Sequence, residues 1–288
     1  MIFAVRRRYF VDSIFSNDCW KKITIEPVVF LYMLAISMNI PTDEALLYRQ
    51  VCFKFYNESI CSSMIHHLSL PVNIEHDVQK STSIYLIYFS LIYSIPSIFI
   101  SILCSSWSEK YSHKIPLILA NGGCILASVV NLFISTRRNT LSIEYFVASN
   151  IFISFFGSSS TMFSIVYNYM ARITEEHERT WRIAILESSL LFGSTIGLIF
   201  SGFLLDFIDF PSIFLLIIGL HIINILYIIV FVDEIIDTHQ SSWSLKRFCH
   251  DLSICKEIHQ SFFVLIKPRE KQRRKYLLLS LIGLLLSL

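Results

Sequence analysis

Apolar residues along this chain gather into long blocks instead of alternating with polar ones. Four blocks, 83–104, 115–136, 145–170 and 210–232, hold no formal charge, and a fifth, 183–205, holds one. Each runs for 22 to 26 residues, and at about 1.5 Å per residue a helix of that length crosses a hydrocarbon core of ~30 Å. A shorter block, 27–42, offers 16 uncharged residues with Pro27 where a first helical turn accepts it. It is expected to be the first of six spans. None of the blocks repeats with period two, so helices are expected and not the strands of a transmembrane barrel.

Beyond the sixth span a polar stretch covers 233–275, and 13 apolar residues, 276–288, follow. As a helix they reach about 20 Å, too short to cross alone, and they look like the start of a truncated seventh span. The expected organisation is therefore an N-terminal segment at 1–26, a six-helix bundle at 27–232, a central loop at 233–275 and the seventh-helix start at 276–288. Arg6, Arg7 and Arg8 follow the first apolar residues with no secretory core behind them, so the first span itself serves as the insertion signal.

Composition agrees. Hydrophobic residues make up 54% of the chain and charged residues 16%, against about 25% charged in an ordinary soluble domain. Disorder is excluded by this, and a net charge of +2 with scattered basic residues gives no nucleic-acid footprint. With both termini inside, segments 1–26, 105–114, 171–182 and 233–275 hold 19 of the 24 Lys and Arg; Arg49, Lys54, Lys80, Arg137 and Arg138 fall outside. That bias places both termini in the cytoplasm, Arg137 and Arg138 being its clearest breach.

Asn57-Glu58-Ser59, an N-glycosylation acceptor pattern, lies in the long outer loop between spans one and two. Cys52 and Cys61 share that oxidising side: they pair with each other, or one pairs with an outer loop from elsewhere, or both stay thiols. Cys104 and Cys124 read as packing residues inside spans. Cys249, His250, Cys255 and His259 match no common zinc spacing and read as unrelated loop residues, so no metal site is expected.

Within the blocks the one ionisable acid is Glu187, about a turn inside its helix. A carboxylate there is costly, so it is either a proton acceptor at a cavity or an interfacial group neutralised by Arg182 or Arg179. Ser189, Gly193, Gly197 and Ser201 form an i, i+4 stripe on the same helix that invites close packing by another helix. Polar stripes also run along span four (Asn150, Ser154, Gly157, Thr161, Ser164, Asn168) and span two (Ser90, Ser94, Ser97, Ser101, Ser105). They line a water-accessible cavity, or their hydroxyls bond their own helix carbonyls. His221, sharing a face with Asn224 on span six, is a third cavity candidate. Nucleotide-cradle, His-Glu-x-x-His and Gly-x-Ser-x-Gly patterns do not occur, so neither enzyme activity nor a cofactor is expected.

Between spans two and three the sequence reads Ser105-Ser106-Trp107-Ser108-Glu109-Lys110-Tyr111-Ser112-His113-Lys114-Ile115-Pro116. It resembles the signature of the major facilitator superfamily, Gly-x-x-x-Asp-x-x-Gly-Arg-Lys/Arg, in the Gly-x-Trp-Ser-Asp form of the proton-coupled folate transporter family. Glu26-Pro27-Val28-Val29 is similar to that family's approach to its first helix, and Arg179-Thr180-Trp181-Arg182-Ile183-Ala184-Ile185-Leu186-Glu187 is similar to its run into the fifth. The resemblance implies an all-α membrane protein: the six-helix N-terminal half of the fold plus the start of a seventh helix. It also implies proton-driven uptake of a small organic anion held between two halves, with Glu187 as the proton-coupling carboxylate and Glu109, His113 and Lys114 as the cytoplasmic gate signature. Ser105 and Ser112 replace the signature's glycines, Glu109 lengthens its acid, and Arg172 stands where relatives often carry Asp.

Two readings follow. One is a secondary-active, proton-coupled, folate-transporter-like carrier, with the lipid bilayer, a small organic solute and protons as partners and a missing C-terminal half. The other is a truncated or degenerate membrane protein that binds a partner membrane helix against the fifth span. The plasma membrane is favoured over the lysosomal one.

Overall fold

The computed structural model describes residues 24–56, 61, 72–110, 112–137, 143–157 and 159–233, all within the first of two compact units, Met1–Ile236. Asn57, the Glu109 side chain, residues 1–23, nearly all of the central loop, the seventh-helix start and the Cys249–His259 group lie outside the described residues. Regular structure among the described residues is entirely α-helical: α1 Glu26–Phe55, α2 Val72–Lys110, α3 Lys114–Thr136, α4 Tyr145–Phe156, α5 Ser159–Ile173, α6 Arg179–Phe207 and α7 Phe210–Phe231.

The helices depart from the apolar blocks in two ways. α1 does not stop at Thr42 but continues through Asp43, Glu44, Arg49 and Lys54 for 30 residues in all, because charge ends a hydrophobic run without ending a helix. Glu26 in its first turn and Lys54 in its last complement the helix dipole. The expected 42–82 loop thereby shrinks to the stretch between Phe55 and Val72. The fourth span, expected as one helix over 145–170, is two. Gly157 adopts φ +105°, a conformation that residues with a Cβ rarely adopt, and it separates α4 from α5.

α1 packs on α6 and α7, α7 on α3, α3 on α4, and α2 on α4 and α5. One apolar core, with Val28, Tyr32, Leu117, Met162, Tyr169 and Ile228, fills the Glu26 end of the bundle. Another, with Leu46, Val51, Phe89, Ile134, Phe146 and Phe214, fills the end near Cys52. Outward faces of α2, α6 and α7 are strongly apolar: Ile87, Ile95, Leu191, Phe192, Ile199, Phe203 and Leu226 are all exposed. Bare apolar surface on this scale suits lipid, not water. Five helical stretches are long and apolar enough to cross a membrane, the broken α4–α5 pair counting as one. The protein is thus a multi-pass membrane protein; α1, charged beyond Thr42, is not among those five.

Candidate functional site

Glu187 lies on an exposed flank of α6 turned toward α5, where the Tyr167 hydroxyl donates a hydrogen bond to its Oε1. Neither expected arginine neutralises it. Arg182 points the other way, into the α1 contact, with Nη2 2.9 Å from Glu26 Oε1 and both side chains buried. That approach is close, although its angles fall short of a well-directed hydrogen bond. Arg179 donates from Nη2 to the carbonyl of Ala171 at 3.3 Å. A local pairing suggested by sequence proximity gives way to a long-range one, because Arg182 faces α1 while Glu187 lies five positions on, around the helix.

The signature segment is gathered at the Glu26 end. His113, just before α3, is buried, and its ring meets Tyr169 of α5 edge to face at 5.6 Å. Lys114 Nζ reaches the carbonyl of Ile229 in α7 at 3.5 Å. Together these contacts tie the start of α3 to the ends of α5 and α7, while Glu26–Arg182 ties the starts of α1 and α6.

The polar stripes of spans two and four turn toward each other more than toward an open space. Ser105 and Ser164 hydroxyls lie 2.9 Å apart, and Ser154 donates to the carbonyl of Tyr93 at 2.9 Å. That carbonyl neighbours the one at Ile92, which Pro96 leaves without a helical donor. Ser90, Ser101 and Asn150 bond carbonyls of their own helices. Of the cavity-lining candidates, Ser97, Ser154 and Thr161 are buried, whereas Ser94, Ser101, Asn150 and Ser164 keep exposed surface. His221 is buried as well. It is 1% exposed, its Nδ1 lies 3.0 Å from Asn121 Oδ1, and Asn224 donates to the same oxygen at 3.0 Å. Tyr32 closes the cluster with its ring edge 5.8 Å from the imidazole. Asn121 thus accepts from two side chains of α7 and ties α3 to α7, with Tyr32 of α1 packed on the imidazole, while His221 Nε2 and Asn224 Oδ1 stay buried without a hydrogen-bond partner among the described residues.

The small-residue stripe of the fifth span is occupied from within the chain. A Cβ on Gly193 would stand 2.6 Å from the carbonyl oxygen of Phe30, and one on Gly197 2.6 Å from that of Leu34; Ser201 is buried in the same seam, and Ser189 starts it. The partner is α1, so a foreign helix docked on this stripe is ruled out: its face is already filled.

Sequence reasoning missed Asp43. Its Oδ2 accepts a hydrogen bond from Asn39 Nδ2 at 2.5 Å and its Oδ1 one from Asn131 Nδ2 of α3 at 2.7 Å. The available signal was Asn39 and Asp43 at i, i+4, one face of a continuing helix. Nearby, Cys52 and Cys61 form a disulfide with their Cα atoms 6.0 Å apart. Closing so short a loop is worth about 2–3 kcal/mol in the chain-entropy account. Cys52→Ser is expected to lower the thermal midpoint of the purified protein, and reduction of the wild type to lower it equally. Equal midpoints for oxidised and reduced protein would remove any structural part for the bridge. Among the described residues no group of three or more His, Cys, Asp or Glu is placed to hold a metal ion.

Comparison with known proteins bears on this arrangement. The model of the family described as Major Facilitator Superfamily matches residues 58–288. The lysosomal proton-coupled steroid conjugate and bile acid symporter of Gallus gallus is 27% identical over 264 residues, covering 88% of this chain and 55% of the relative. Its Homo sapiens counterpart is 25% identical, covering 91% and 57%. The proton-coupled folate transporter of Rattus norvegicus is 24% identical, covering 70% and 44%. The chain spans about half the length of the curated relatives it matches.

Proposed function

The chain belongs to the Major Facilitator Superfamily, and from that premise we propose that its six spans form one half of a proton-coupled carrier for small organic anions. The relatives' printed names support both terms: they are proton-coupled, and bile acids and folate are organic acids. The observation that carries the reading is Glu187. On a spanning helix its carboxylate has, among the described residues, no cation beside it and is met by the neutral hydroxyl of Tyr167, as a group that gains and loses a proton during a cycle requires.

In this reading the Lys and Arg bias supports placing the Glu26 end in the cytoplasm and the disulfide end outside or in a lumen. Either a plasma membrane or a lysosome supplies an acidic face there. His113 and Lys114, with Glu109, brace the cytoplasmic end. Ser94, Ser101, Asn150 and Ser164 are the polar residues left to face the solute path, whose opposite wall is the second half of the carrier.

The test is uptake of labelled folate and of a labelled bile acid by cells expressing the full natural chain, with the outer pH stepped from neutral to acidic. Uptake is expected to rise on acidification. Glu187→Gln, which keeps an oxygen for Tyr167 but cannot take up a proton, is expected to cut the acid-driven component on the order of tenfold or more. Acid-stimulated uptake that survives Glu187→Gln intact would remove the carboxylate from the mechanism.

A further inference from the structure

Asp43 stands where a carboxylate is least expected. Its contact on α3, Asn131, lies five residues before the end of that helix, so the group sits about 8 Å inside the disulfide end of the bundle. No cation pairs with it among the described residues. Arg49, the nearest basic residue along α1, is turned to the carbonyl of Ser135 and to the face of the Phe210 ring. Glu44 beside it and Asp206 on α6 are acidic and exposed, Arg137 caps the same end of α3 but lies against the Phe133 ring, and His221 of α7 is engaged with Asn121. The carboxylate is part-buried and accepts two amide hydrogen bonds, but with no cation beside it its charge is still disfavoured at this depth in a membrane.

The surroundings say how that charge is removed. Asn39 is 7% exposed and Asn131 1%; both give their amide nitrogens to Asp43, and both amide oxygens are then buried without a partner. Nitrogen and oxygen of such an amide are interchangeable in position. The 2.5 Å separation between Asn39 and Asp43 Oδ2 is below the range of N–H···O and at the short limit of O–H···O. If Asn39 is turned about, a proton on Asp43 Oδ2 is donated to Asn39 Oδ1, while Asp43 Oδ1 still accepts from Asn131. One proton removes the charge and gives Asn39 Oδ1 a donor, while the Asn39 amide nitrogen takes over the buried position that had no partner.

We propose that Asp43, cradled by Asn39 and Asn131, is a second proton-binding site, at the opposite end of the bundle from Glu26–Arg182 and distinct from Glu187. Its part in coupling rests on the carrier reading above; proton binding itself does not.

Infrared difference spectra of the full chain in lipid nanodiscs, taken between acidic and alkaline buffer, test it. One component of the protonated-carboxyl carbonyl stretch, isolated by subtracting the Asp43→Asn spectrum, is expected in the wild type and in Glu187→Gln, and that component is expected to be missing in Asp43→Asn. Asn39→Ala keeps the carboxyl but removes the acceptor, so the pH at which the band titrates is expected to move; this variant serves even where Asp43→Asn fails to fold. A folded Asp43→Asn protein with an unchanged spectrum would overturn the proposal. So would sodium stabilising the wild type and not Asp43→Asn, since the occupant would then be a metal cation. A titrating band lost in Asp43→Asn, with no acid-driven uptake in any variant, would support the site and count against the carrier.

Discussion

Gly197→Val is expected to loosen α1 from α6 and to lower the thermal midpoint of the purified protein by roughly 5–10 °C, the equivalent of about 3 kcal/mol in a chain of this size. The Cβ that valine brings would lie 2.6 Å from the carbonyl oxygen of Leu34 and 2.9 Å from the Cβ of Ser37. The first obstacle is backbone, so no rotamer change relieves it and α1 itself must move. Gly193 meets the carbonyl of Phe30 at the same distance one turn earlier, and two such contacts in succession mark a seam in which two backbones touch. Between helices in lipid, burial of apolar surface gives no net drive, and close packing of this kind takes its place. Gly202, on the same helix, is the control. A Cβ there meets nothing within 4 Å, so Gly202→Ala should leave the midpoint unchanged or raise it slightly, alanine being the better helix former. Thermal unfolding monitored by tryptophan fluorescence in detergent distinguishes the two. Similar midpoints for Gly197→Val and Gly202→Ala would mean that α1 and α6 are not in contact as described.

The stripe itself was legible, because four small residues at i, i+4 define a face by arithmetic alone. Its partner was not, since periodicity tells which side of a helix packs and says nothing of what packs there. The same limit governs Arg182. Its spacing suggests a partner one turn away, whereas the carboxylate it meets belongs to Glu26, far back in the chain. The polar stripes were visible for a similar reason. Whether a hydroxyl looks into a cavity or onto another helix depends on the neighbour, as Ser154 on the carbonyl of Tyr93 illustrates. Hydropathy also measures solvent preference and not backbone conformation. It stops α1 at Thr42, hiding Asp43, and it runs unbroken through Gly157, hiding the joint between α4 and α5. Spans and family were readable because both are written in local pattern. Pairings across the bundle are written in topology.

Arg182→Leu is the substitution expected to cost most among the charged residues. It leaves the carboxylate of Glu26, 3% exposed at its side chain, buried beside leucine with only the amide of Ile25, 3.2 Å from its Oε2. Removing one member of a buried pair typically costs about 3–5 kcal/mol, most of it the desolvation penalty of the charge left behind and not the worth of the pair. The reciprocal Glu26→Leu strands the guanidinium, whose Nε already lacks a hydrogen-bond partner, and should cost a similar amount. The double variant separates the two contributions. With leucine at both positions no charge remains to be solvated and the apolar core around Val28, Leu186 and Ile228 extends over the site, so most of the lost stability is expected to return. Recovery in the double variant would show that the pair chiefly sets which ends of α1 and α6 meet, rather than adding stability of its own. A double variant that unfolds as readily as Arg182→Leu alone would instead show that the ion pair supplies net stability that leucine packing cannot replace, and that the contact between the starts of α1 and α6 depends on charge.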